Sequence, residues 1–86
     1  MSSYAFDLSN HQHLAMRRIL AEIYSKFWSA IRHGDFSLAN RYAGMTSALL
    51  RVCLLVLNDI DLYEICSQLS DVLHEQLGYH QHRQAA

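Results

Sequence analysis

Proline is absent from this chain, glycine occurs only three times, and no long run of one charge sign exists. With so little to interrupt a helix, collagen-like and low-complexity linker architectures are excluded. Two cysteines cannot staple a disulfide scaffold. Without a basic or acidic block, a nucleic-acid footprint is not visible in the charge pattern. The longest greasy stretch, from Ala48 to Leu57, has ten residues and contains an arginine, against about 20 apolar residues for a membrane-spanning helix. The opening MSSYAFDLSN lacks the basic flank and apolar core of a secretory signal. A reducing, cytoplasmic location is expected.

What is present is apolar side chain: 51% of 86 residues are hydrophobic, with a formal charge of −1. A chain of this length makes a single domain and buries only about 60–65% of its unfolded surface. So much apolar surface on so small a body is expected to be covered by a second copy or a partner.

Apolar residues recur with a period of three and four rather than two, so the fold class is all-α. The first stripe runs Met16, Leu20, Ile23, Phe27 and Ile31. Ser9 and Gln12 offer a capping box ahead of it, and Arg32, His33 and Gly34 suit a helix end. Asp35 or Ser37 can cap the second helix. Asp61 with Glu64 resembles a second capping box before the third, whose stripe is Leu62, Ile65, Cys66, Leu69, Val72, Leu73 and Leu77. The reading is a compact three-helix antiparallel bundle. One domain spans residues 1–86, with helices at about 10–33, 37–57 and 61–78 and frayed tails at 1–8 and 79–86.

Short turns imply antiparallel neighbours, which sets a register. Centring the second turn between Asp59 and Ile60 pairs Leu57 with Leu62, Cys53 with Cys66, Leu50 with Leu69, Thr46 with Leu73 and Tyr42 with Leu77. Centring the first near Gly34 pairs Ile31 with Leu38, Phe27 with Tyr42 and Leu20 with Leu49. Helix two then turns Tyr42, Thr46, Leu50, Cys53 and Leu57 to helix three, and Leu38, Met45, Leu49, Val52 and Val56 to helix one. Its third side carries Arg41, Gly44, Ala48, Arg51 and Leu55. The arginine inside SALLRVCLLVL therefore points out of the bundle, from a stripe of small and apolar residues. The backs of the other helices are ordinary polar surfaces, such as Glu64, Asp71 and His74.

Arginine is enriched at interface hot spots, where its stem packs and its fork binds a carboxylate. The expected contact set is Arg41, Gly44, Ala48, Arg51 and Leu55, with Tyr24 and Trp28 on the flank of helix one as a lesser set. The function expected is that of a small protein–protein interaction module: an adaptor, regulator or inhibitor, associated as a homodimer and meeting an unidentified protein partner. The alternative is a nucleic-acid-binding regulator whose dimer pools Arg17, Arg18, Arg41 and Arg51, and a third reading is a metal- or redox-sensing helical protein using the histidine pairs or the two cysteines. The third helix, with Asp61, Glu64, Asp71 and Glu75, argues against nucleic-acid binding by repelling phosphate.

Enzymatic chemistry has no support. No Gly-x-Ser-x-Gly, phosphate loop or His-Glu-x-x-His occurs, and no carboxylate pair lies on an apolar face. The His11–His13 and His80–His82 pairs invite a metal, but the bundle puts them at opposite poles and their spacing is not that of metal ligands. Cys53 and Cys66 face each other and read as two small buried hydrophobes rather than a redox pair. No cofactor is expected.

The stretch HGDFSLANRY resembles the Gly-Asp-aromatic-x-x-Ala turn of tetratricopeptide-type hairpins, through Gly34, Asp35, Phe36 and Ala39. It covers about ten residues, and no second copy follows at the period of about 34. Lys26 and Phe27 stand where that pattern puts Leu and Gly. The resemblance implies a shared helical hairpin and not membership of the repeat family.

Overall fold

A computed structural model describes residues 6–85. Three helices follow one another: α1 (His11–Arg32), α2 (Phe36–Leu55) and α3 (Ile60–Ala85). They form an all-α bundle with extents of 45 × 24 × 20 Å. α2 is the shared element. It packs broadly on α3 and on α1, while the α1–α3 contact is the thinnest.

The core is built from the predicted stripes, except that Val72 of the third is exposed. Met16, Leu20, Ile23 and Phe27 of α1 meet Leu62, Ile65, Cys66, Leu69, Leu73 and Leu77 of α3, and α2 contributes Ala39, Ala43, Thr46 and Cys53. Ala39 and Ala43 are fully buried, and their small side chains let α2 lie close to its neighbours. Thr46 is buried without penalty because its hydroxyl donates to the Ala43 carbonyl at 2.6 Å. The expected register of the second hairpin is visible in the facing Cys53 and Cys66 thiols, 3.7 Å apart, and in Ser47 against Ser70 at 3.2 Å.

Both turns close by backbone chemistry. At the end of α1, the Asp35 amide donates to Ala30 and the Gly34 amide to Ile31. Gly34 has φ +72°, the left-handed conformation this stop requires and that glycine adopts at little cost. Asp35 then caps α2 by accepting from the Leu38 amide at 3.0 Å. The second turn uses Asn58 at φ +55°, tolerated because a short amide side chain suits the left-handed region.

Four boundary expectations are corrected. The cap of α1 is Asn10, whose side chain accepts from Gln12 and His13; Ser9 instead bonds the Asp7 carboxylate. The cap of α3 is Asp59, which accepts from Leu62 at 3.1 Å, so the Asp61–Glu64 box does not form the start. α2 ends at Leu55 rather than 57, since the Val56 and Leu57 amides both fold back to the Val52 carbonyl.

α3 does not stop at Gly78 but continues to Ala85. A mid-helix glycine costs about 1 kcal/mol. Here the next turn is held by His80 edge-on to Trp28 at 5.8 Å and by the Arg83 guanidinium over the Tyr79 ring. The expected tail 79–86 is thus helical through residue 85. Of the expected tail 1–8, residues 1–5 lie outside the described residues. Phe6 is half-buried, and the Asp7 amide is bound to His13.

His13 joins the two ends of this arrangement. It is buried; its Nδ1 accepts from the Asp7 amide at 2.9 Å, and its Nε2 lies 2.9 Å from Asp59 Oδ2. A backbone amide can only donate, so the ring proton sits on Nε2 and is donated to Asp59. One carboxylate thereby caps α3 and anchors the start of α1.

The Leu62 amide, ahead of the His13 ring, holds the Asp59 carboxyl below its ordinary value of 3.8. A depressed folded pKa means that the contribution is complete above the unfolded value and is lost as pH falls through the folded one. We predict that Asp59→Ala costs about 1–2 kcal/mol of unfolding free energy at neutral pH, the value of a lost cap. Urea titrations should show the gap between mutant and wild type closing below about pH 4.

Candidate protein interface

The side of α2 turned away from the core repeats at helical spacing through Arg41, Gly44, Ala48, Arg51 and Leu55, and all five are exposed. Leu55 is 75% exposed. The face is wider than the sequence reading had it. Met45, Val52 and Val56, assigned there to the contact with α1, are exposed too, Val56 to 73%. Only Leu38 and Leu49 of that set are half-buried.

The α1 residues that the register sets opposite Val52 and Val56 are turned elsewhere: Arg17 borders the groove with Leu69 and Val72 of α3, the His13 ring is bound to Asp7 and Asp59, and both valines stay exposed. Ile19 of α1, exposed at 42%, was also missed. It stands on the α2 flank of its helix, off the main stripe.

α1 and α2 enclose a groove of about 460 Å³ lined by Ile19, Ile23, Met45, Ala48 and Leu49, with Glu22, Lys26 and Tyr42 at its edge. Glu22 and Lys26 form an ion pair at 3.1 Å, one helical turn apart and both more than half exposed. Solvent screens so exposed a pair, and it contributes little to stability. It raises the Lys26 pKa above 10.5 through the Glu22 hydrogen bond. Among the described residues the other ion pair is His13–Asp59. Arg41 and Arg51 make none. The segment from residue 36 to 58 contains no Asp or Glu, so neither arginine has a carboxylate on its own helix.

The lesser set divides. Tyr24 is 47% exposed and borders a second groove, with Phe6, Arg17, Leu69 and Val72, between α1 and α3. Trp28 is half-buried. Its ring meets Phe27, Tyr24 and His80 edge to face, and its indole Nε1 is buried without a hydrogen-bond acceptor. Tyr24 is therefore open to a partner, whereas Trp28 mainly closes the bundle end. The structure does not bring Tyr24 and Trp28 onto the α2 face.

The histidine pairs lie as far apart as the topology demands. His13 is committed to Asp7 and Asp59, and His80 to Trp28. Among the described residues no group of three or more His, Cys, Asp or Glu could hold a metal ion. No described helix is long and apolar enough to cross a membrane. Both cysteines are free and buried. Burial pushes each thiol upward, Cys66 to about 12, which keeps it protonated and a poor nucleophile at neutral pH.

No protein-family model matches the chain, and comparison with curated proteins and with solved structures yields no match.

We predict that both thiols resist N-ethylmaleimide at pH 7 in the folded protein and react together when urea unfolds it, as followed by intact mass. Rapid labelling of one cysteine in native buffer would contradict the shielding described.

Proposed function

We propose that the protein is a small protein–protein interaction module, an adaptor, regulator or inhibitor, that docks its partner on the outward side of α2. One observation carries this reading. The side of α2 that its own bundle leaves uncovered is made of Met45, Ala48, Val52 and Leu55, continued by the cap residue Val56, with arginines as its only charges. A helix on the outside of a lone bundle normally turns a polar face to water. Covering Leu55 and Val56 alone is worth roughly 2–4 kcal/mol, and contiguous exposed apolar surface marks contact sites.

Gly44 adds to the case. A Cβ built there meets nothing within 4 Å, so no packing within the fold calls for glycine in mid-helix, where it costs about 1 kcal/mol relative to alanine. A partner lying against the face would use the space. Gly78 also stands clear in α3 and serves as the control, being off the proposed surface.

Self-association is the second reading. It is favoured by Gly44 and Ala48, whose spacing of one helical turn permits close approach of a second helix, and a two-fold dimer is its simplest form. Light scattering separates the two: a mass near twice 9.9 kDa assigns the face to a second copy, and a single mass leaves it for another protein.

A photo-crosslinking residue at position 48, introduced in the native host, should give a discrete heavier adduct. The same residue at position 68 on the back of α3 should give none. Equal labelling from both positions, or none from either, would remove the proposed surface. Gly44→Ala and Gly78→Ala should each raise Tm, by a few degrees per kcal/mol gained, but only Gly44→Ala should reduce the adduct.

A further inference from the structure

The charge on α2 allows the occupant of this face to be specified. Charge is segregated in the fold. From α1 to the end of α2, six basic residues (Arg17, Arg18, Lys26, Arg32, Arg41 and Arg51) stand against two acidic ones, Glu22 and Asp35, an excess of four. α3 reverses this, with Asp61, Glu64, Asp71 and Glu75 against Arg83. Of the cations, Lys26 is paired to Glu22, whereas Arg41 and Arg51 stand on the apolar face of α2 with no carboxylate on their helix.

A second copy is a poor fit. Two α2 faces packed antiparallel about Ala48 would set Arg41 against the partner's Leu55 and Arg51 against the partner's Met45 or Gly44. Four guanidiniums would then enter one interface with no acid on either copy of α2 to receive them. Removing a charge from water without a counter-charge is unfavourable and opposes the gain from the apolar stripe.

The groove has the form of a seat for a helix. It runs between two antiparallel helices, on the side of the α1–α2 hairpin away from α3, and its floor is apolar: Ile19, Ile23, Met45, Ala48 and Leu49. A helix laid there would complete a four-helix bundle. Ala48 and Gly44 allow the axes to approach to the shorter end of the usual 8–10 Å. An extended peptide would find no strand edge to pair with, since the described residues contain no strand.

We infer that the partner element docked on α2 is an acidic amphipathic helix. Its apolar stripe fills the groove between α1 and α2, and two carboxylates about ten residues apart along it meet Arg41 and Arg51. Ten residues of α2 span about 15 Å, so the partner's carboxylates lie about three turns apart on one flank of its stripe. Fork-to-carboxylate pairing fixes its direction and register, and the basic excess of the hairpin speeds its approach. This rests on the reading of the outward side of α2 as a contact surface.

The test is selection from a displayed library of helix-forming peptides of about 20 residues, with apolar residues fixed at a helical stripe and every flanking position randomised. Enriched peptides should carry Asp or Glu at two flank positions ten or eleven apart. Binding of one such synthetic peptide should fall about tenfold for Arg41→Ala or Arg51→Ala and further for the double Glu variant, with helix content unchanged by circular dichroism. Replacing the peptide's two acids by lysine should restore binding to that double Glu variant.

Enrichment without acidic preference, affinity indifferent to both arginines, or no enrichment at all would each overturn the inference. So would a dimer by light scattering that Ala48→Glu dissociates, or uptake by duplex DNA or anionic vesicles with a steep salt dependence. The crosslinking comparison at positions 48 and 68 does not depend on the occupant's charge. It therefore separates failure of this inference from failure of the contact surface itself.

Discussion

A helix in a three-helix bundle turns only part of its circumference toward its neighbours, and α2 is apolar around nearly all of it. Between Asp35 and Asp59 its segment has no carboxylate, and its charged residues are two arginines. Ala39, Ala43, Thr46 and Cys53 take the buried side. Whatever α1 and α3 do, an apolar strip remains outside. The candidate interface, the groove beside it and the chemistry inferred for its occupant all follow from this surplus on the central helix. Satisfying α2 within one chain would need a fourth helix that the described residues do not contain.

The ends of the bundle are held by side-chain contacts between elements distant in sequence, polar at one end and aromatic at the other. Asp59 caps α3 and accepts a hydrogen bond from His13 Nε2, while His13 Nδ1 accepts one from the Asp7 amide. This ties the start of α1 to the α2–α3 turn. At the opposite end, His80 packs edge-on to Trp28 and keeps α3 helical beyond Gly78. Both devices link elements distant in sequence, and both leave α2 free on its outer side. Cys53 and Cys66, shielded in the middle, belong to the same economy. They fill space between α2 and α3 and contribute no accessible chemistry.

Much of this was legible in the residues. Gly34 followed by Asp35 marked the first turn through local backbone physics, and the facing of Cys53 with Cys66 followed from an antiparallel hairpin with a short connection. Arg41, Gly44, Ala48, Arg51 and Leu55 lie outward as the register required. What was not legible concerned contacts between distant segments. Ser9 and Asp61 looked like caps by spacing, yet Asn10 and Asp59 do the capping, because the second caps α3 while also serving His13. Val52 and Val56 looked like core by periodicity, but coverage depends on the opposite helix, whose Arg17 borders the α1–α3 groove and whose His13 is bound to Asp7 and Asp59.

The sequence by itself determined the helical class, the number of helices, their antiparallel order and the presence of an uncommitted side on α2. Each depends on near neighbours in the chain or on a period of three to four, and local sterics settle such features. Only the tertiary structure decided how wide that side is, that a groove with Ile19 accompanies it, that α3 runs to Ala85, and that Arg41 and Arg51 make no ion pair among the described residues. Those outcomes depend on distances between side chains far apart in sequence, and only the packed fold sets such distances.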